Sequence, residues 1–266
     1  MSPQGNGDFK SPRRKDRAVI SVSGLSKSFK MEGGNSVLAL SPMDHHIPEG
    51  AFVSIVGPSG CGKSTFLRLV AGLEDASGGT IDLATGAIRR PVGFVFQDAV
   101  LLPWKSVRDN IRFPLDTSGV KRAAGNARVQ ELIDLVGLTG FEDALPKQLS
   151  GGMRQRAAIA RALADDPPIL LMDEPFSAVD LLTRETLNDE LLKIWQQTGK
   201  TILLVTHSVE EAAYLGSEIM VMSPRPGRLK KTYSVDLPYP RTPDTKALPG
   251  YHALVSDLRR DLRDTE

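Results

Sequence analysis

Gly57-Pro-Ser-Gly-Cys-Gly-Lys-Ser-Thr65 is the stretch from which the rest of the chain can be read. It fits G-x-x-x-x-G-K-[ST], follows the apolar run AFVSIV (51–56) and opens a helical pattern, the context this motif requires. Glycines let the backbone wrap closely enough for its N–H groups to point at phosphate oxygens, and a helix N-terminus adds a favourable dipole. All nine residues, Gly57, Pro58, Ser59, Gly60, Cys61, Gly62, Lys63, Ser64 and Thr65, are therefore candidates for binding a nucleotide. Lys63 is expected to bridge the β- and γ-phosphates, and Ser64 to offer its hydroxyl to Mg²⁺.

Outward from this loop, short apolar runs alternate with helical patterns, as in an α/β sheet. AVISV (18–22), VGFVF (92–96), PILLM (168–172) and TILLV (201–205) are each short enough for a buried strand, while EIMVM (218–222) and RLKKTYSV (228–235) read as closing strands. Val129, Leu132, Ile133 and Val136 share one helical face, as do Leu187, Leu191 and Ile194. The helical texture assigns about 98–160 to an inserted helical subdomain. Beyond Leu237 a proline-rich tail (237–266) leads into a charged helical stretch at about 250–263.

Composition bounds the class. The 266 residues are 41% hydrophobic, enough for one substantial core with a subdomain, and the formal net charge of +1 gives no global field for nucleic acid. The single cysteine, Cys61, excludes an internal disulfide. Residues 1–17, with Arg13, Arg14, Lys15 and Arg17 close together, are expected to be a disordered leader. No run approaches the ~20 apolar residues that span a bilayer, so a soluble chain is expected.

Two further stretches carry chemistry. Ile169-Leu-Leu-Met-Asp-Glu174 ends an apolar run in two acids. Asp173 is positioned for Mg²⁺ and Glu174 for the attacking water, although an acidic pair there also suits a turn or helix cap. Leu149-Ser-Gly-Gly-Met-Arg-Gln-Arg156 places a second glycine pair at the start of a basic helix, where small residues make an anion site and Ser150 makes an N-cap.

With these three motifs in this order, the chain from about Val19 to Arg228 resembles the ATP-binding cassette ATPases. The resemblance implies a P-loop NTPase sheet core with an antiparallel β subdomain and an inserted α-helical subdomain, the ATPase domain covering 18–236. It also implies two cassettes packed head to tail, so that Ser150, Gly151 and Gly152 serve the γ-phosphate held by a partner copy. Gln97 resembles the glutamine that senses Mg²⁺ and γ-phosphate, Asp180 in Ser177-Ala-Val-Asp180 the loop that crosses the dimer interface, and His207 the switch histidine. Phe29 resembles the aromatic that stacks on adenine, although an aromatic there also suits a core. Lys63, Glu174 and His207 are then the catalytic candidates, with Ser64, Gln97 and Asp173 around Mg²⁺ and ATP as the nucleotide. His45 and His46 match no family position and read as turn residues.

Within the family, Leu101-Leu-Pro-Trp104, Val107-Arg-Asp-Asn-Ile111 and Met222-Ser-Pro-Arg-Pro-Gly227 resemble the ATPase subunits of nitrate, sulfonate and taurine importers. That implies a peripheral motor on the cytoplasmic face of a bacterial inner membrane, with permease subunits, an extracytoplasmic binding protein and no nucleic acid. Leu101, Leu102 and Trp104 suit a groove for the permease, or equally a fold under the helical subdomain. The alternative is a non-transport cassette acting on nucleic acid or ribosomes; no long coiled coil or second cassette supports it. An N-K-x-D motif, which would mark a GTPase, is absent. Cys61, at a helix N-terminus beside Lys63, has two readings: a thiol that ionises readily and, once alkylated, blocks nucleotide binding, or equally a small buried residue with no reactivity.

Overall fold

The computed structural model describes residues 17–31 and 34–263, so the leader expected over 1–17 lies, apart from Arg17, outside the described residues. Six strands form the main sheet in the order β5 (Val92–Val95), β6 (Ile169–Asp173), β7 (Thr201–Val205), β3 (Phe52–Val56), β8 (Glu218–Met222) and β9 (Leu229–Ser234). The first five are parallel and β9 closes the edge antiparallel to β8.

Strands β3, β6, β7 and β8 are buried along their whole length. Successive side chains leave a strand on opposite faces, so a strand covered on both sides must be apolar throughout. Phe52, Leu170, Met172, Ile202 and Leu204 pack on one face against helices α2 (Val107–Thr117), α3 (Arg122–Leu135), α4 (Gly151–Ala162), α5 (Leu181–Thr198) and α6 (Val209–Leu215). Val53, Ile55, Ile169, Leu171, Leu203 and Val205 pack on the other face. They meet α1 (Lys63–Val70) and a three-stranded antiparallel sheet ordered β2 (Ser36–Pro48), β1 (Ala18–Lys30), β4 (Gly78–Leu83).

Between β5 and β6 the chain is helical: α2 packs on α3 and α4, and Val129, Leu132, Ile133 and Val136 are buried as their spacing requires. The charged stretch near the C-terminus is α7 (Pro249–Arg263), docked against α6 and β9. Tyr251 Oη donates to Glu210 O at 3.1 Å, Lys230 Nζ to Asp261 O at 2.6 Å, and Arg259 pairs with Glu210.

His45 and His46 are not in a turn. They lie on β2, and His45 Nε2 is 2.9 Å from Glu218 Oε1 of β8, both side chains largely buried. The polar run Asp44-His45-His46 hides this strand, whose pairing with β1 is broken by several register shifts.

Candidate functional site

Parallel strands deliver their functional residues at their C-terminal ends, and here neighbouring strands do so side by side. The phosphate loop follows β3, Asp173 ends β6 with Glu174 just after it, His207 follows β7 and Gln97 follows β5. A cavity of about 330 Å³ is lined by Ser59, Gly60, Gly62, Lys63, Ser64, Thr65, Gln97, Glu174, His207 and Arg225. A larger hollow of about 510 Å³, bounded by Ile88, Arg90, Val120 and Asp165, contains none of the motif residues.

The loop's shape follows from its glycines. Gly62 takes φ 106°, a conformation that a side chain resists, and a Cβ there would lie 2.6 Å from Leu40 Cδ2. Gly62 is also the N-cap of α1 and offers no side-chain oxygen, so the first N–H groups of that helix stay open to an anion. Lys63 is buried beneath them, its Nζ donating to Gly57 O at 2.9 Å and Pro58 O at 3.0 Å. Gly57 and Pro58 therefore form the seat of this ammonium.

Ser64 Oγ donates to Asp173 Oδ1 at 2.7 Å, bringing together a hydroxyl and a carboxylate from elements 109 residues apart. This pair of hard oxygens is the donor set a small divalent cation takes when phosphate and water supply the remaining ligands. Glu174 adopts φ 49°, a strained conformation that costs about 1–3 kcal/mol and accumulates at functional sites. Its N–H donates to Val205 O at 3.0 Å, and its Oε1 lies 2.6 Å from His207 Nε2. Ser208, next to that histidine, caps α6 by accepting from Glu211 N at 3.1 Å.

Other expected residues lie outside this cavity. Ser150 caps α4, accepting from Met153 N at 3.2 Å, and Asp180 caps α5, accepting from Thr183 N at 3.0 Å. That hydrogen bond holds the Asp180 carboxyl below its ordinary pKa. The two caps adjoin each other, since a Cβ on Gly152 would lie 2.9 Å from Thr183 Cγ2. They form a second surface with Gly151 and the exposed Leu181 and Leu182. Phe29 sits on β1, partly exposed, with Lys27 Nζ 4.8 Å from its ring centroid.

Of the apolar loop after Gln97, Leu101 is buried in the core, while Trp104 is 73% exposed. Buried Asn110 shapes this loop: its Oδ1 accepts from Leu102 N at 2.8 Å and its Nδ2 donates to Lys105 O and Ser106 O, each at 2.9 Å.

Of the two readings of Cys61, the structure favours the buried one. It is 1% exposed, and burial pushes its thiol above the ordinary value, outweighing the nearby Lys63 charge. Arg225 was assigned no role from sequence. A cation just past a parallel strand was the available signal, in a stretch that had served only to suggest a subfamily.

A family model described as ABC transporter matches residues 40–177. The taurine import ATP-binding protein TauB of Rhizobium johnstonii is 46% identical over 256 residues, covering 93% of this chain and 98% of that protein. An uncharacterized ABC transporter ATP-binding protein of Methanocaldococcus jannaschii, MJ0412, is 43% identical, covering 94% of this chain and 95% of that one. Among solved structures, the dimeric ATP-binding cassette MJ0796 in a post-hydrolysis state with ADP and Pi is similar with TM-score 0.71 and 32% identity, over 81% of this chain and 98% of that one. With residues of the phosphate loop, Glu174 and His207 lining one cavity, and with relatives aligned over nearly their full length, the chain belongs to the ABC transporter family.

Proposed function

We propose that the chain is the ATP-hydrolysing motor of an importer for a small anion of the nitrate, sulfonate or taurine kind, acting as two cassettes against separate permease subunits. The observation that carries it is the convergence of Lys63, Glu174 and His207 on a single cavity beside the Ser64–Asp173 pair. The import direction and substrate class rest on relatives named as taurine import proteins. In this arrangement 18–236 is the ATPase domain, about 98–160 its helical subdomain and 237–266 its tail.

Lys63 and the open N–H groups of α1 hold the phosphate chain. Ser64, Asp173 and Gln97 are the residues that would hold Mg²⁺, which when bound neutralises charge on the β- and γ-phosphates. Glu174 accepts a hydrogen bond from the attacking water and orients it in line with the γ-phosphate. His207, 2.6 Å from Glu174, fixes that carboxylate and faces the same phosphate. Ser150, Gly151, Gly152 and Asp180, remote from the chain's own cavity, serve the nucleotide of a second copy. ATP therefore joins two chains and hydrolysis parts them.

Trp104, held outward by the Asn110-organised loop, is proposed to meet the permease. None of the described helices is long and apolar enough to cross a membrane, which suits a peripheral subunit on the cytoplasmic face, with an extracytoplasmic binding protein across the bilayer. The test is reconstitution with its permease and binding protein in vesicles. Mg·ATP hydrolysis should rise, and labelled taurine, a sulfonate or nitrate should accumulate. An ATPase rate indifferent to the permease, in a chain retained on nucleic acid, would overturn the importer assignment.

A further inference from the structure

We propose that Arg225 is an additional phosphate-binding residue of this chain's own ATP site, presented by a loop clamped to the back of the phosphate loop. Four of the five parallel strands already deliver to the site: β5 brings Gln97, β6 the acids, β7 His207 and β3 the phosphate loop. The fifth, β8, lies beside β3 and ends at Met222, three residues before Arg225. Arg225 lines the same cavity as Ser59, Lys63, Gln97, Glu174 and His207.

The loop carrying Arg225 is fastened at both ends. Ser223 N donates to Arg228 O at 3.0 Å, Gly227 N to Ala39 O at 2.9 Å, and Ser41 N to Gly227 O at 2.8 Å. It also touches the phosphate loop directly. A Cβ at Gly227 would lie 1.8 Å from Cys61 O, and one at Gly57 would lie 3.0 Å from Met222 O. Only glycines allow this approach, so Arg225 is placed by the same residues that shape the phosphate site.

Its charge is unspent. Arg225 is exposed and makes no hydrogen bond or ion pair with another described residue. Lys63 Nζ, by contrast, already donates to two carbonyls of its own loop. A planar guanidinium offers paired N–H donors that match phosphate oxygens, and in a cavity that must receive a polyanion it supplies charge that Lys63 alone does not.

This inference rests on the ATP site described above, and its test separates the two. Equilibrium binding of Mg·ATP and steady-state ATPase are measured for wild type, Arg225→Ala, Arg225→Lys and Lys63→Ala, with thermal unfolding of each. Arg225→Ala should weaken Mg·ATP binding about tenfold and raise KM for ATP more than it lowers kcat, while Arg225→Lys keeps part of the affinity. The melting temperature should not move, because the side chain is exposed and unpaired. Wild-type affinity in Arg225→Ala, with binding lost in Lys63→Ala, overturns the role of Arg225 and leaves the site intact. Wild-type affinity in both overturns the site itself. Normal binding with failure only in pairing of two chains assigns the guanidinium to the partner and also overturns the proposal.

Discussion

Replacing Gly227 by alanine tests whether the loop after β8 is truly seated on the phosphate loop. The added methyl would start 1.8 Å from the Cys61 carbonyl oxygen, a backbone atom that cannot swing aside, with Leu40 Cδ2 at 3.2 Å behind it. Restoring ordinary contact requires the two loops to part by about 1.5 Å. That displacement breaks the hydrogen bonds from Gly227 N to Ala39 O and from Ser41 N to Gly227 O. Two buried backbone bonds at about 0.5–1.5 kcal/mol each, with about 1–3 kcal/mol of overpacking, give a loss of roughly 2–6 kcal/mol. At roughly 2–4 °C per kcal/mol for a chain of this size, melting should fall by about 5–20 °C. ATP affinity should fall with it, since Cys61 belongs to the loop being displaced. Gly72→Ala is the comparison: its φ is 66° but nothing lies within 4 Å, so only the left-handed backbone cost of about 1–2 kcal/mol applies. If Gly227→Ala melts with the wild type and binds ATP equally well, the clamp does not exist and the placement of Arg225 loses its support.

Glu174→Gln should keep ATP bound while turnover drops by about 10²–10⁴-fold, the range for losing a positioned proton acceptor; an unchanged rate in single-turnover assays would remove Glu174 from that role. Asn110→Ala leaves Leu102 N, Lys105 O and Ser106 O to find new partners. It should lower stability in urea by about 1–3 kcal/mol, and stimulation by the permease should fall with it as Trp104 loses its setting. Stimulation that survives in the folded variant would detach Trp104 from coupling. Cys61 should resist alkylation near neutral pH, because its raised pKa keeps the folded thiol protonated where an unfolded one begins to ionise. Reaction should speed up as pH rises, and stability should fall above the ordinary thiol range, since only the unfolded state gains by ionising there. Labelling at the rate of a free thiol at neutral pH would contradict the burial.

What could be read in the sequence divides along a physical line. The strands β3, β6, β7 and β8 are visible because covering both faces of a sheet forces unbroken apolar runs. The residues proposed to meet phosphate are visible because backbone wrapping and charge demand particular residue types at fixed spacing. Strand β2 is hidden because one side faces solvent and bulges break its alternation. Its His45 finds Glu218 across 173 positions, a pairing no local pattern announces. Arg225 escaped for the same reason: its significance depends on Gly227 meeting Cys61, not on its immediate neighbours. Cys61 stays open in the sequence because local electrostatics favour a thiolate there, while burial, a tertiary property, outweighs them.

The two helix starts on the second surface bear on the proposed pairing of two chains. Ser150 accepts from Met153 N and so satisfies the third N–H of α4. In a helix the first N–H groups have no internal acceptor, which leaves those of Gly151 and Gly152 to seek one outside. Gly152 must also lack a side chain because α4 lies hard against Thr183 of α5. These donors are absent from the lining of the cavity that Lys63 and Glu174 share. Leu181 and Leu182, 69% and 75% exposed beside the Asp180 cap, add apolar area to the same surface. Donors without acceptors beside exposed leucines are what a docking partner's phosphate and backbone would cover. The phosphate cavity has the complementary deficit, since it presents Lys63 and Arg225 beside Glu174 but is open toward solvent. On the proposed function each surface supplies what the other lacks, so the γ-phosphate would be the contact whose presence or loss decides whether two chains stay together.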